Sequence, residues 1–171
     1  MAILDIIKYG HPTLFKRAEA IKNIDEQIRQ LAQNMLQTMR AAPGIGLAAP
    51  QINKSLRLIT VDLSLGEKEK DVFILINPEI ISKEGELIEV EGCLSVPEIQ
   101  EKVLRPSRIT VKGINLQGKE QIIEAKDLLA RVFCHEIDHL NGKLFIDHLS
   151  LLKKSLIRKK LKKIMEKNRI S

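Results

Sequence analysis

The sequence predicts one α+β domain, with mostly antiparallel sheets packed around a central HExxH helix, an N-terminal helix and a C-terminal helix. Three observations carry that expectation. Short β-branched and apolar runs fill the middle of the chain, helical periodicity is confined to three stretches near its ends, and polar turn signals separate the runs. At 171 residues and 44% hydrophobic, the chain can bury one proper core. No internal repeat and no linker divides it, so the expected organisation is one domain over 1–150 with a tail over 151–171.

Composition narrows the setting. No run of 18 apolar residues is present, and the start, Met1-Ala2-Ile3-Leu4-Asp5, lacks the basic and apolar regions of a signal peptide. Two cysteines argue against a disulfide framework, and a cytoplasmic location is expected. Of the net charge of +6, the segment from Leu151 onward carries +8 (nine Lys/Arg against Glu166), which leaves the first 150 residues at −2. A mildly acidic body and a strongly basic tail suggest two different jobs.

Taken in order, the chain opens with Ile6 to Ala20, which has no clear periodicity and reads as an extended arm with a turn at Tyr9-Gly10-His11-Pro12. Asn23 and Glu26 have the spacing of a capping box, and Ile24, Ile28, Leu31, Met35 and Met39 recur at helical intervals until Pro43-Gly44. Gly44-Ile45-Gly46-Leu47-Ala48-Ala49-Pro50-Gln51 follows. It lacks both the third glycine of a dinucleotide fingerprint and the Gly-Lys-Ser/Thr of a phosphate loop, so the pattern alone gives a connector through which backbone can approach something closely. Strands are expected at Leu56–Asp62, Val72–Asn77, Glu79–Ser82, Glu86–Glu91, Ile109–Ile114 and Gln121–Ala125, with turns at Gly66–Asp71, Lys83–Gly85 and Leu116–Lys119.

The central helix is expected from Asp127, as N-cap, to Asn141-Gly142. It contains His135-Glu136-x-x-His139, and residues four apart leave a helix on the same face. Two such imidazoles can share a divalent metal, with Glu136 beside them to handle protons. The alternative is one packed and one solvated histidine. A third ligand would decide between these readings. Phe145 stands where one protease pattern has its third histidine, and the lysine-rich stretch 159–163 offers no carboxylate for another. His148 and Asp147 lie past the helix stop. Cys134, one residue before His135, points about 100° away around the helix and reads as a small buried hydrophobe. Cys93, in the loop-like Glu91-Gly92-Cys93-Leu94-Ser95, is the best remaining candidate.

Residues 44–51, 91–95 and 135–139, in this order, resemble the three motifs of peptide deformylases. The resemblance implies a metal-dependent hydrolase that removes the N-formyl group from the N-terminal methionine of new polypeptides and releases formate. It implies Cys93, His135 and His139 as metal ligands, Glu136 as the proton-transferring residue, and the Gln51 amide and Leu94 N–H as oxyanion donors. Iron(II) is the implied ion, with zinc, nickel or cobalt able to substitute. Gly46 would let the first loop come close. Leu128 and Val132 share the face of His135 and, with Ile45, are expected to wall a pocket for the methionine side chain. Arg131 shares that face too. It can pair with Glu91, reach the substrate backbone or lie along the rim. Gln100 stands where some members have an arginine near the substrate.

For the tail, Ile157, Leu161, Ile164 and Met165 predict a helix over 151–165. Either it docks on the body with a solvated charged face, or its lysines contact RNA phosphates, without base stacking since no aromatics interleave them. The resemblance favours the ribosome as partner. A monomer that does not engage membranes is expected.

Overall fold

The computed structural model of the chain describes residues 2–170; Met1 and Ser171, the outer ends of the two expected segments, lie outside the described residues. Seven strands, β1 (Gly46–Ala48), β2 (Leu58–Asp62), β3 (Val72–Glu84), β4 (Leu87–Cys93), β5 (Val96–Arg105), β6 (Arg108–Ile114) and β7 (Glu120–Lys126), combine with three helices, α1 (Glu26–Ala41), α2 (Asp127–Leu140) and α3 (Leu151–Ile170). The strands form a five-stranded sheet of order β1-β2-β3-β6-β7 and a separate β4-β5 ribbon, antiparallel at every pairing. The α+β class with helices at both ends is as the sequence predicts.

Strand β2 shows why the sheet sits between helices. Its side chains alternate, so Ile59 and Val61 join the cluster of α2 residues Val132, Phe133 and Ile137, while Leu58 joins Met35 and Met39 of α1. All five β2 residues are buried, which accounts for their unbroken apolar run. Helix α2 is buried almost all round, so its polar residues Arg131, Glu136 and His139 are buried with it and need partners. It ends in a Schellman arrangement, with Gly142 N–H donating to His139 C=O and Lys143 N–H to Asp138 C=O. Gly142 has φ +75°, and a Cβ there would stand 2.7 Å from the Phe15 carbonyl oxygen, so no larger residue fits.

Several boundaries differ from the sequence expectation. Asp25, not Asn23, caps α1, accepting from Ile28 N–H at 2.9 Å. Asp127 is not the N-cap of α2; that position falls on Lys126, and Asp127 itself has φ +53°. The expected break at Asn77 is a bulge inside one continuous β3, where Asn77 bonds both the N–H and the C=O of Ile21 and so ties the arm to the sheet. Gly85 does turn the chain, but β3 and β4 belong to different sheets and do not pair. Strand β5 was not expected, because Pro97 and a charged outer face hide its alternation. Helix α3 runs beyond residue 165 and buries Ile157 and Ile164 against Val96, Ile99 and Phe145. Among the described residues no helix is long and apolar enough to cross a membrane.

Candidate metal centre

Helix α2 presents His135, Glu136 and His139 toward the end of ribbon β4-β5, where Cys93 sits at the turn. The Cys93 Sγ and one ring nitrogen of each histidine lie within 4.8 Å of one another, with Sγ 3.4 Å from His139 Nε2. This is the ligand set read from the sequence. The two cysteines behave in opposite ways. Burial raises the Cys93 pKa, but His139 and His135 outweigh it and hold the thiol well below its ordinary range. Burial pushes the Cys134 thiol up to about 11, the behaviour of an inert packed cysteine.

The ring of His135 is set from two sides. Its Nδ1 lies 2.9 Å from Glu91 Oε1, and since a carboxylate only accepts, Nδ1 carries the proton and Nε2 is left for a metal. Phe145, occupying the place of the third histidine of another metal motif, stacks on the same ring with centroids 6.0 Å apart. Glu91 also accepts from Arg105 at 2.8 and 2.9 Å and from Arg131 Nη1 at 2.6 Å. Burial favours a protonated Glu91, yet the bonds from Arg105 and His135 and the charge of Arg105 override it and hold the pKa well below the usual carboxylate range. Arg131 further donates to the Leu87 and Val103 carbonyls, so it joins α2 to the ribbon while also lining the cavity beside the three ligand atoms. Arg105 continues to Asp138 at 2.6 Å, and Asp138 accepts from His148 at 2.7 Å. His148 therefore lies outside the ligand triad, as does Asp147, whose carboxylate accepts from Leu144 N–H.

Glu136 differs from Glu91 in kind. It is buried, its Oε1 has no hydrogen-bond partner among the described residues, and burial raises its pKa against the pull of His135 and His139. A carboxylate held this way is suited to take and return a proton. Gly46 explains how it is packed: a Cβ there would stand 2.6 Å from Glu136 Oε2 and 2.9 Å from Val132 Cγ1, so only glycine lets β1 cross α2 at this point.

Gln51, in the short turn after β1, is buried. Its Oε1 accepts from Ala48 N–H at 3.0 Å, which turns its NH₂ toward Ser95 Oγ at 3.2 Å and Cys93 Sγ at 3.6 Å. The amide orientation is thus fixed with its donors facing the centre. Leu94 lies beside Cys93 in the same turn. A cavity of about 710 Å³ opens here, with Ile45, Gly46, Leu128, Val132, Glu98 and Lys160 among its lining. Val132 is buried, but Leu128 is half-exposed at the rim instead of forming an inner wall. Gln100 also lines it.

Neither Arg105, a lone arginine at a strand end, nor Lys160, one lysine among many on α3, carries a signal in the sequence. A thiolate and two imidazoles beside an unpartnered buried carboxylate oxygen fit a divalent metal that takes three protein ligands and keeps a position open for water. The donor set suits iron, zinc, nickel or cobalt and does not choose among them.

Residues 3–155 match the family model for polypeptide deformylase. The chain is 51% identical over 162 residues to a peptide deformylase of Thermodesulfovibrio yellowstonii, covering 95% of this chain and 98% of that one. It is 47% identical over 163 residues to one of Nitrosococcus oceani, covering 95% and 96%. A crystal structure of a peptide deformylase from Legionella pneumophila superposes with a TM-score of 0.90 at 42% identity, covering 99% of each chain. Likeness of this extent, in a chain whose Cys93, His135 and His139 converge from separate elements, places it in the polypeptide deformylase family.

Proposed function

We propose that Cys93, His135 and His139 hold the metal with which this deformylase removes the formyl group from the N-terminal methionine of newly made polypeptides. The observation that carries the assignment is the convergence of the three ligand atoms next to the unpartnered Oε1 of Glu136. A divalent ion held there supplies Lewis acidity and lowers the pKa of a water from about 15.7 toward neutrality.

Glu136 takes the proton of the attacking water, whose oxygen adds to the formyl carbon. The negative charge that develops on the formyl oxygen is met by the Gln51 NH₂, already turned inward by Ala48, and by the Leu94 N–H. The carbon–nitrogen bond then breaks. Glu136 returns its proton to the methionine nitrogen, and formate leaves with the water's oxygen. The raised pKa of Glu136 makes it an adequate acid for that last transfer. Ile45 and Val132, with Leu128 at the rim, form the apolar side of the cavity for the methionine side chain, and Gly46 keeps the loop close to it.

The iron(II) form is the proposed physiological state, and metal analysis of anaerobically purified protein tests it. The 151–171 extension is proposed to reach ribosomal RNA through the exposed lysines of α3, in a monomeric cytoplasmic enzyme. Formate release from formyl-Met-Ala-Ser under anaerobic conditions tests the activity; cleavage of casein without formate would sink it in favour of a peptidase. Glu136→Gln is expected to keep its metal and lose turnover by ~10²–10⁴-fold. Unchanged turnover would remove Glu136 as the proton carrier.

A further inference from the structure

The arm ahead of α1 passes along the two loops that carry the oxyanion donors. Three consecutive residues fasten it there. Ile7 N–H donates to the Gln51 carbonyl at 2.8 Å, Lys8 Nζ donates to the Leu94 carbonyl at 3.2 Å, and Tyr9 N–H donates to the Ser95 carbonyl at 2.8 Å. One short extended segment therefore spans from the Gln51 loop to the Leu94 turn, and its length sets their separation. The next residue anchors it: Gly10 packs so closely on α3 that a Cβ there would stand 2.8 Å from Met165 Cγ.

Two of the three fastenings are main-chain bonds that any residue except proline makes at those positions. The middle one is a side-chain bond and depends on lysine. Lys8 is half-buried, and among the described residues the Leu94 carbonyl is the one hydrogen-bond partner of its ammonium. That carbonyl belongs to the peptide between Leu94 and Ser95, one plane away from the Leu94 N–H to which the proposed mechanism assigns the formyl oxygen. Rotation of either plane in a two-residue turn moves the other.

We propose that Lys8 is a positioning residue for the reaction: by holding the Leu94 carbonyl it fixes the Leu94-Ser95 turn so that the Leu94 N–H meets the formyl oxygen as charge develops there. The proposal rests on the deformylase reading above. Donor alignment matters most where the oxygen is most negative, so losing Lys8 affects turnover more than substrate binding.

The test compares Lys8→Met, which keeps an unbranched stem and removes the donor, with Lys8→Arg, which keeps a donor, both in the metal-loaded protein. Lys8→Met is expected to lower kcat about tenfold on formyl-Met-Ala-Ser with KM unchanged. Amide hydrogen exchange over residues 93–96 should speed up, with metal content and thermal midpoint as in the parent. Lys8→Arg should recover most of both effects. A parental kcat in Lys8→Met overturns the proposal. So does a loss that follows a lowered midpoint or missing metal, or a failure of arginine to rescue. If the parent itself releases no formate, the deformylase reading fails instead. Exchange then decides alone, and an unchanged rate over 93–96 in Lys8→Met rejects the positioning role.

Discussion

Glu91 Oε1 holds His135 Nδ1 at 2.9 Å, and the same carboxylate is the buried anchor of Arg105 and Arg131. One side chain thus orients the proposed metal ligand His135 and pairs with two buried cations, one of which also reaches Asp138. Glu91→Gln is expected to weaken metal binding by ~10–100-fold, because Nδ1 loses its charged acceptor. It should also cost about 3–5 kcal/mol of stability, since the buried Arg131 guanidinium loses its counter-charge and Arg105 keeps only Asp138. Chelator competition and urea unfolding measure the two effects. Metal affinity at the parental level would show that the Phe145 stack alone orients the ring.

Gly46 yields a sharper prediction about chemistry. Its missing Cβ is the room in which Glu136 and Val132 sit. Gly46→Ala should push Glu136 aside and lower kcat/KM about 100-fold, as misplacement of a reacting group by an ångström does. The proposed ligands come from α2 and the β4-β5 turn, so metal content should stay at the parental level. Formate release together with metal analysis checks both statements. Parental activity would mean that β1 can retreat without cost.

Part of this molecule was legible because its patterns are local. Apolar spacing around His135 and His139 marked α2, β-branched runs marked β2, β6 and β7, and Cys93 emerged as a ligand candidate because other ligand positions were occupied by Phe145 and lysines. What escaped depends on distant partners. Strand β5 lies in a ribbon with charges on one face, and its inward Arg105 reads as a surface residue until Glu91 and Asp138 are seen beside it. Lys8 has no motif at all, and its relation to Leu94 spans 86 residues of sequence. Arg131 had three open readings, and only the fold shows it bonded to Glu91, Leu87 and Val103.

Acid stability should report on Asp62, which ties β2 to α1 through Arg40 at 3.0 Å and also accepts from Ser64 and from Gly66 N–H. Burial raises its pKa, but the bonds from Ser64 and Arg40 win and leave it lowered. A lowered folded pKa means stability that is fully present above the unfolded value, about 3.9, and lost as pH falls below it toward the folded one. Asp62→Asn should lower the thermal midpoint by ~2–4 °C at pH 7. The gap between parent and variant should narrow as the pH is taken from 5 to below about 3.9. Thermal melts across that range check it; a gap that stays constant would assign the loss to packing instead of charge.

Helix α3 combines a packing face with a charged one, and the two should separate experimentally. Ile157 and Ile164 share a buried cluster with Val96, Ile99 and Phe145, and Lys153 pairs with Glu101 of β5 at 3.4 Å. Ending the chain after Ser150 would uncover that cluster directly behind the Cys93 turn, so truncation should lower the thermal midpoint and formate release together. Lys159 and Lys163 point to solvent. Replacing both with glutamate should leave formate release from a short peptide at the parental level, because neither lines the cavity. If these lysines neutralise ribosomal phosphates, the log–log slope of ribosome affinity against salt should become shallower by ~2, about one unit for each lost contact. Co-sedimentation with ribosomes between about 50 and 200 mM salt measures it. An unchanged slope in the double variant would move the contact to another face, and hydrolysis that survives truncation would make α3 dispensable to the catalytic fold.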